Sequence, residues 1–313
     1  MNHRQRPRLW AARTRDHTVY IQYELSLPSH NPDRLRVAAI SFLNPAPLLW
    51  NFEHEPAAAE LRTRYDVRYT LPSLCAAQLA SGEADLGLVP IAALPGLPDA
   101  KAVPGCTIAS LQAVRSIQLV LRPGVTLASV QTVAADTASR SSVAYVQILL
   151  QQFYGNRPEF KQHPADLEAM LQIHDAALLI GDPALLALED RDTMSRFADC
   201  TWIDVASLWR QHTGLPWVAA VWAVRPAALE RCGISAADLS ADLAASRDAG
   251  LRHTDDLVDE WLPRLPLSEA TIRTYLTQNI HYTLDTMCLQ AIERFYQLTT
   301  ASGVLPEYSL QLL

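Results

Sequence analysis

The densest set of groups able to hold a charged ligand is Asp136-Thr137-Ala138-Ser139-Arg140-Ser141-Ser142, with four hydroxyls and a guanidinium in seven residues. Placed between a strand and a helix, such a turn offers hydroxyl donors beside unpaired backbone N–H groups and the positive end of a helix dipole. Together these can hold a carboxylate without a basic cluster. The competing reading is ordinary helix capping by Ser139 or Ser141. Asn44, in Asn44-Pro45-Ala46-Pro47, can both donate and accept hydrogen bonds and so could orient a substrate hydroxyl or carboxylate; it could equally cap the helix that follows. Gly181-Asp182-Pro183 could bring backbone and a carboxylate close to a ligand, or Asp182 could be a helix cap. Pro90 ends the run Asp85-Leu86-Gly87-Leu88-Val89 and opens a short helix.

Several chemistries lack their residues. His163, His174, His212, His253 and His281 show no metal-ligand spacing, so no metal is expected. There is no Gly-x-Gly-x-x-Gly, Walker loop or Gly-x-Ser-x-Gly, so neither a nucleotide cofactor nor serine-hydrolase chemistry is expected. Trp202, Trp209, Trp217 and Trp222 read as packing residues.

The elements that must position these groups alternate between strand and helix. Arg36 to Leu43 is an apolar, β-forming run, Asp66 to Leu71 alternates, Pro72 to Ser81 is a helix opened by proline and closed before Gly82, and Asp85 to Val89 is a third strand. This order predicts a parallel α/β sheet. Thr107 to Leu111 and Val114 to Arg122 read as further strands, the second containing Ser116. A second strand-helix unit begins at Val130, and Trp217 to Val224 reads as a strand leading back to the first unit. Helices then dominate: Ala236 to His253, Asp255 to Trp261, Ser268 to Tyr275 and Leu284 to Ala301.

A chain of 313 residues exceeds the roughly 250 to 300 at which one core stops growing, so two lobes are expected. The first, discontinuous, comprises residues 35–122 and 218–313, and the second residues 123–217; residues 1–34 read as a poorly packed extension. Open α/β sheets bind ligands beyond the carboxyl ends of their strands, which places the junctions above at a cleft between the lobes. A net charge of −7 argues against a nucleic-acid partner, no apolar stretch is long enough for a membrane span or an export signal, and five scattered cysteines fit a reducing compartment. A small ligand and a cytoplasmic location are expected.

Several strings, in order, resemble the chorismate dehydratase family of the futalosine route to menaquinone. They are Arg36-Val37-Ala38-Ala39-Ile40-Ser41-Phe42-Leu43-Asn44 with Pro47, Asp85 to Pro90, Ser139-Arg140-Ser141-Ser142-Val143, Leu179-Ile180-Gly181-Asp182, and Thr213-Gly214-Leu215-Pro216 with Val221-Trp222-Ala223. The resemblance covers about residues 36 to 305 and implies a two-lobed type II periplasmic-binding-protein-like fold. It further implies a cofactor-independent hydro-lyase that converts chorismate, a dicarboxylate, to 3-[(1-carboxyvinyl)oxy]benzoate and water. By position, Asn44 and Ser116 match the family's functional asparagine and serine. Thr137, Ser139, Arg140, Ser141 and Ser142 match its carboxylate-binding turn, with Ser141 where the family has threonine, and Pro90, Gly181 and Asp182 complete the site. The substrate's own enolpyruvyl carboxylate is the proton acceptor that the resemblance suggests, with Asp182 the alternative from the protein. A non-catalytic solute-binding protein and the sister enzyme acting on cyclic dehypoxanthine futalosine are the competing readings; the second lacks its cysteine-containing stretch after the first strand here.

Overall fold

The computed structural model describes residues 33–313, which form one compact unit. The extension expected over residues 1–34 lies almost wholly outside them. Eleven strands among the described residues make two sheets. In chain order they are β1 (Leu35–Ile40), β2 (Tyr65–Thr70), β3 (Leu86–Pro90), β4 (Lys101–Ser110), β5 (Ile117–Leu121), β6 (Thr132–Asp136), β7 (Glu159–His163), β8 (Ala176–Ile180), β9 (Thr201–Asp204), β10 (Trp217–Val224) and β11 (His281–Leu284).

The first sheet has the order β11-β4-β10-β3-β1-β2 and the second β7-β6-β8-β5-β9. Neither is purely parallel, which corrects the expectation from strand-helix alternation. β1 runs parallel to β2 and β3, but β10 is antiparallel to both β3 and β4, and β5 is antiparallel to β8 and β9. The reason is the path of the chain. It leaves the first sheet after β4 and returns at β10, and the strand entered after each crossing, β5 in the second sheet and β10 in the first, runs against its neighbours. β5 also departs from expectation: the run Ile117 to Leu121 was assigned to the first lobe, yet all five residues are buried between β8 and β9 of the second sheet. The first crossing therefore falls between Ser110 and Ile117.

β3, β5 and β8 are buried along their whole length, as continuous apolar runs require when a sheet is covered on both faces. One large core cluster draws side chains from both sheets, including Val37, Leu88, Leu119, Val133, Leu178 and Trp222. Where the sheets meet, the ring of Tyr145 packs against Trp209, Trp217 and Phe295, and its hydroxyl donates to the Val218 carbonyl at 3.1 Å. Of the four tryptophans read as packing residues, Trp209, Trp217 and Trp222 are fully buried and Trp202 partly so. The starts of β1 and β3 are pinned by Asp85, only 1% exposed, which accepts from the Arg36 guanidinium at 2.6 Å and from Arg231 at 2.6 Å. No helix among the described residues is long and apolar enough to cross a membrane.

Candidate functional site between the two sheets

β8 delivers Gly181 to the start of the helix Gly181–Met194. Gly181 has φ +62, and a Cβ there would lie 2.6 Å from the Phe42 ring, so conformation and space both demand glycine. Its N–H donates to the Ser116 carbonyl at 2.8 Å. The next residue, Asp182, is not the helix cap that was one of its two readings; the N-cap is Ile180. Its buried carboxyl instead accepts the Leu43 N–H at 3.0 Å, which joins the loop after β1 to the second sheet. Burial pushes this carboxyl up to about 7, against the opposing pull of the Leu43 N–H.

Asn44 follows directly. The short helix Ala46–Leu49 has Pro45 as N-cap and no side-chain cap, so the capping reading of Asn44 fails. Its Oδ1 is buried and has no hydrogen-bond partner. A buried, unpaired amide oxygen costs about 1 to 3 kcal/mol, and its retention points to an external donor. The loop is clamped from below by the helix Ala236–Arg252: Ser246 accepts the Asn51 N–H at 3.0 Å, and Gly250 lies against Pro47 so closely that a Cβ would sit 2.2 Å from its carbonyl oxygen.

Ser116 is 2% exposed but does not lie inside a strand, contrary to expectation. It ends a tight turn in which Arg115 takes φ +60 and the Ser116 N–H donates to the Val114 carbonyl at 2.7 Å. The cause is Asp204, whose carboxylate accepts the Arg115 N–H at 2.7 Å and the Val114 N–H at 3.3 Å and so withdraws both from strand pairing. The residue before Asn44 thus bonds Asp182, and Ser116 bonds the adjoining Gly181.

The hydroxyl turn joins the same junction through Asp136, the last residue of β6. Its carboxyl accepts the Ala138 N–H at 2.9 Å and interacts with the Ile180 N–H, while burial raises its pKa above the usual carboxylate range. Neither Ser139 nor Ser141 caps the helix Ser141–Tyr154; its N-cap is Arg140, without a side-chain bond. The Ser139 hydroxyl is buried and unpartnered. The Ser141 hydroxyl is committed elsewhere, donating to the Ala219 carbonyl at 2.8 Å and accepting from the Ala92 N–H at 3.3 Å. It therefore ties this helix to the first sheet near Pro90, which is buried at the end of β3. Ser142 is buried, whereas Thr137 and Arg140 are exposed. A cavity of about 320 Å³ opens at this turn, lined among others by Ala92, Asp136, Ser139, Arg140, Gln147 and Lys161. Two cations, an unpartnered hydroxyl and a helix start suit it to an anion.

Two groups at this junction escaped sequence reasoning. Asp136 was legible only as part of a polar turn, and Tyr275 only as the end of a helix. The Tyr275 hydroxyl is buried without a hydrogen-bond partner, and burial pushes it above the ordinary phenol range. Elsewhere His281, Asp285 and Cys288 place ligand-type atoms within 4.8 Å of one another, but Asp285 already caps the helix Thr286–Ala301 by accepting the Cys288 N–H at 2.8 Å.

Comparison with known proteins places this geometry in context. The chain is similar in fold to a protein of Archaeoglobus fulgidus, with TM-score 0.67 and 14% identity over 88% of this chain and all of that one. A Candida albicans protein described as having the generic periplasmic binding protein fold aligns with TM-score 0.62 and 14% identity, over 88% of this chain and 92% of that one. The periplasmic aliphatic sulphonate binding protein of Escherichia coli aligns with TM-score 0.61 and 14% identity, over 90% of this chain and 94% of that one. These likenesses show the periplasmic-binding-protein-like fold. In sequence, the chain is 30% identical over 236 residues to the chorismate dehydratase of Thermus thermophilus, covering 71% of this chain and 82% of that one. A family model described as menaquinone biosynthesis matches residues 35–301, nearly everything from β1 to the last helix. On both counts the chain belongs to the menaquinone biosynthesis family.

Proposed function

We propose that the protein is a chorismate dehydratase, a cytoplasmic hydro-lyase that converts chorismate to 3-[(1-carboxyvinyl)oxy]benzoate and water. The reaction breaks a ring C–H bond and the neighbouring C–O bond, and the electron pair left by the proton completes an aromatic ring. Aromatisation supplies much of the driving force. The protein must hold a dianion in one reactive pose and present oriented donors to the departing hydroxyl, and it needs neither metal nor cofactor for this.

The observation that carries this reading is the unpartnered, buried Asn44 Oδ1 next to Leu43, whose N–H bonds Asp182, with the Ser116 carbonyl bonded to the adjoining Gly181. Asn44 and Ser116 orient the reacting ring. Thr137, Ser139, Arg140 and Ser142, with the N–H groups at the start of the helix Ser141–Tyr154, grip a carboxylate, and Pro90 and Gly181 shape the walls. Ser141 contributes its backbone, since its hydroxyl is already engaged. The proton passes to the substrate's own enolpyruvyl carboxylate. Asp182 is the protein group that competes for it, because a carboxyl held near 7 is matched to proton transfer at neutral pH.

The test is incubation of the purified protein with chorismate. The expected result is loss of the cyclohexadiene absorbance together with formation of one equivalent of an aromatic enol ether. Tight binding without conversion overturns the enzymatic reading in favour of a carboxylate-binding protein.

A further inference from the structure

His281, Asp285 and Cys288 bring an imidazole nitrogen, a carboxylate oxygen and a thiol sulfur within 4.8 Å of one another. The three come from different local structures. His281 opens β11, the edge strand of the first sheet, Asp285 is the N-cap of the helix Thr286–Ala301, and Cys288 lies in the first turn of that helix. Neither the strand period nor the helix period relates these positions, so their spacing carries no metal signature in the sequence. The fold of a strand end onto a helix start brings them together.

The helix cap does not exhaust the carboxylate. Asp285 Oδ1 accepts the Cys288 N–H at 2.8 Å, which fixes the orientation of the group, while Oδ2 stands 2.8 Å from His281 Nε2. A ligating carboxylate held by a hydrogen bond to its other oxygen is the support that built metal sites use. No lysine or arginine among the described residues pairs with Asp285. The His281 and Asp285 side chains are 24% and 38% exposed, whereas Cys288 is fully buried, so solvent reaches the nitrogen and oxygen and is kept from the sulfur. A tetrahedral cation sits about 2.0 Å from nitrogen or oxygen and about 2.3 Å from sulfur, so its ligands stand roughly 3.3 to 3.5 Å apart, and side-chain rotation of about an ångström closes the set.

The donors also select the ion. Imidazole, carboxylate and thiolate together suit zinc-class cations, whereas magnesium and calcium take oxygen ligands. Burial, with the neighbouring Asp285 charge, pushes the Cys288 thiol up to about 12, so the sulfur keeps its proton until a cation replaces it, and that proton then passes to solvent.

We propose that His281, Asp285 and Cys288 form a site for one zinc-class divalent cation, with its fourth position open to solvent, that fastens the edge strand β11 to the helix Thr286–Ala301. Its role is structural. The site takes no part in the chemistry proposed for chorismate, and binding is read without substrate, so the two readings stand or fall separately.

The test is titration of Co2+, a spectroscopic stand-in for zinc, into untagged protein freed of metal by chelation. Saturation is expected at one equivalent, with a thiolate-to-cobalt charge-transfer band, the intense visible bands of a tetrahedral ion and release of one proton; Zn2+ should abolish both sets of bands. Cys288→Ala should lose the charge-transfer band, and His281→Ala and Asp285→Asn should each weaken Co2+ binding by about tenfold or more. Asparagine caps a helix as well as aspartate does, so metal-free Asp285→Asn should melt within a few degrees of wild type. Zn2+ at a hundredfold excess over its Kd should raise the melting temperature of wild type by about 5 °C, and that of the variant by much less. Absence of a cobalt–sulfur band in wild type, or a band of equal intensity in Cys288→Ala, overturns the proposal. If Cys288→Ala does not fold, the other two variants decide: unaltered affinity in both overturns it as well.

Discussion

Removing the Asn44 amide or the Ser116 hydroxyl tests whether these two groups near the Gly181-Asp182 junction serve a ligand. Each of Asn44→Ala and Ser116→Ala should reduce kcat for chorismate about a hundredfold, the cost of one oriented donor, while the melting temperature stays within a few degrees. Equal turnover in both variants would remove these residues from the site. Asp182 makes a separate prediction about pH. Its carboxyl stands at about 7 in the folded protein against an ordinary 3.8, so the folded state binds this proton more tightly than the unfolded chain does. Stability from this group is fully present below about pH 4 and is lost as pH rises through 7, a loss of at most about 4 kcal/mol. An amide at this position still accepts the Leu43 N–H but carries no charge. Asp182→Asn should therefore gain stability relative to wild type between pH 5 and pH 8 in paired urea titrations, and a difference that stays flat with pH would contradict the buried carboxyl. Near-normal turnover in that variant would leave the substrate carboxylate as the proton acceptor. At this scale the sequence was only half legible. The hydroxyl-rich turn announced itself by composition, but whether Asn44, Ser139 or Asp182 capped a helix depended on atoms contributed by distant segments, such as the Leu43 N–H that claims Asp182.

Elements were easier to read where a local signal closed them. Pro72 and Gly82 bracket a helix that runs Pro72–Ser81 as expected, because proline suits the first turn and Gly82, at φ +77, takes the left-handed cap. Val114 to Ser116 misled for the opposite reason. Alternation there mimics a strand, and the turn is imposed by Asp204, 89 and 90 residues beyond the two N–H groups it holds. The π turn Tyr275–Asn279 leaves no mark that an ordinary helix would lack. The close crossing of Gly250 over Pro47 gives a prediction for the element as a unit. Gly250→Ala forces the helix Ala236–Arg252 away from the Ala46–Leu49 turn, and overpacking of this kind costs about 1 to 3 kcal/mol. Because that turn follows Asn44, turnover should fall along with the melting temperature. An alanine variant as stable and active as wild type would mean that the two elements slide apart freely.

For the molecule as a whole, the proposed site draws on segments from both sheets, so a ligand that satisfies both should stabilise the entire unit. The aromatic product, which cannot react further in the forward direction, should raise the melting temperature by about 5 °C at a hundredfold excess over its Kd, in a single transition. Benzoate, with one carboxylate, should do far less at the same concentration; an equal shift would indicate that only one carboxylate is held. The two-sheet plan followed from chain length and strand-helix alternation. The direction of the strands did not, because it depends on where the chain crosses.

That double crossing also orders events in time. β10 lies between β3 and β4, so the ladder joining β2-β1-β3 to β4-β11 has a missing rung until residues 217–224 have been made. The five strands of the second sheet, by contrast, are contiguous in the chain and can pair while the earlier strands wait. On the ribosome, the middle of the polypeptide would thus complete its ladder before the beginning does, and a nascent chain halted just short of Trp217 would hold β3 and β4 with no strand to share.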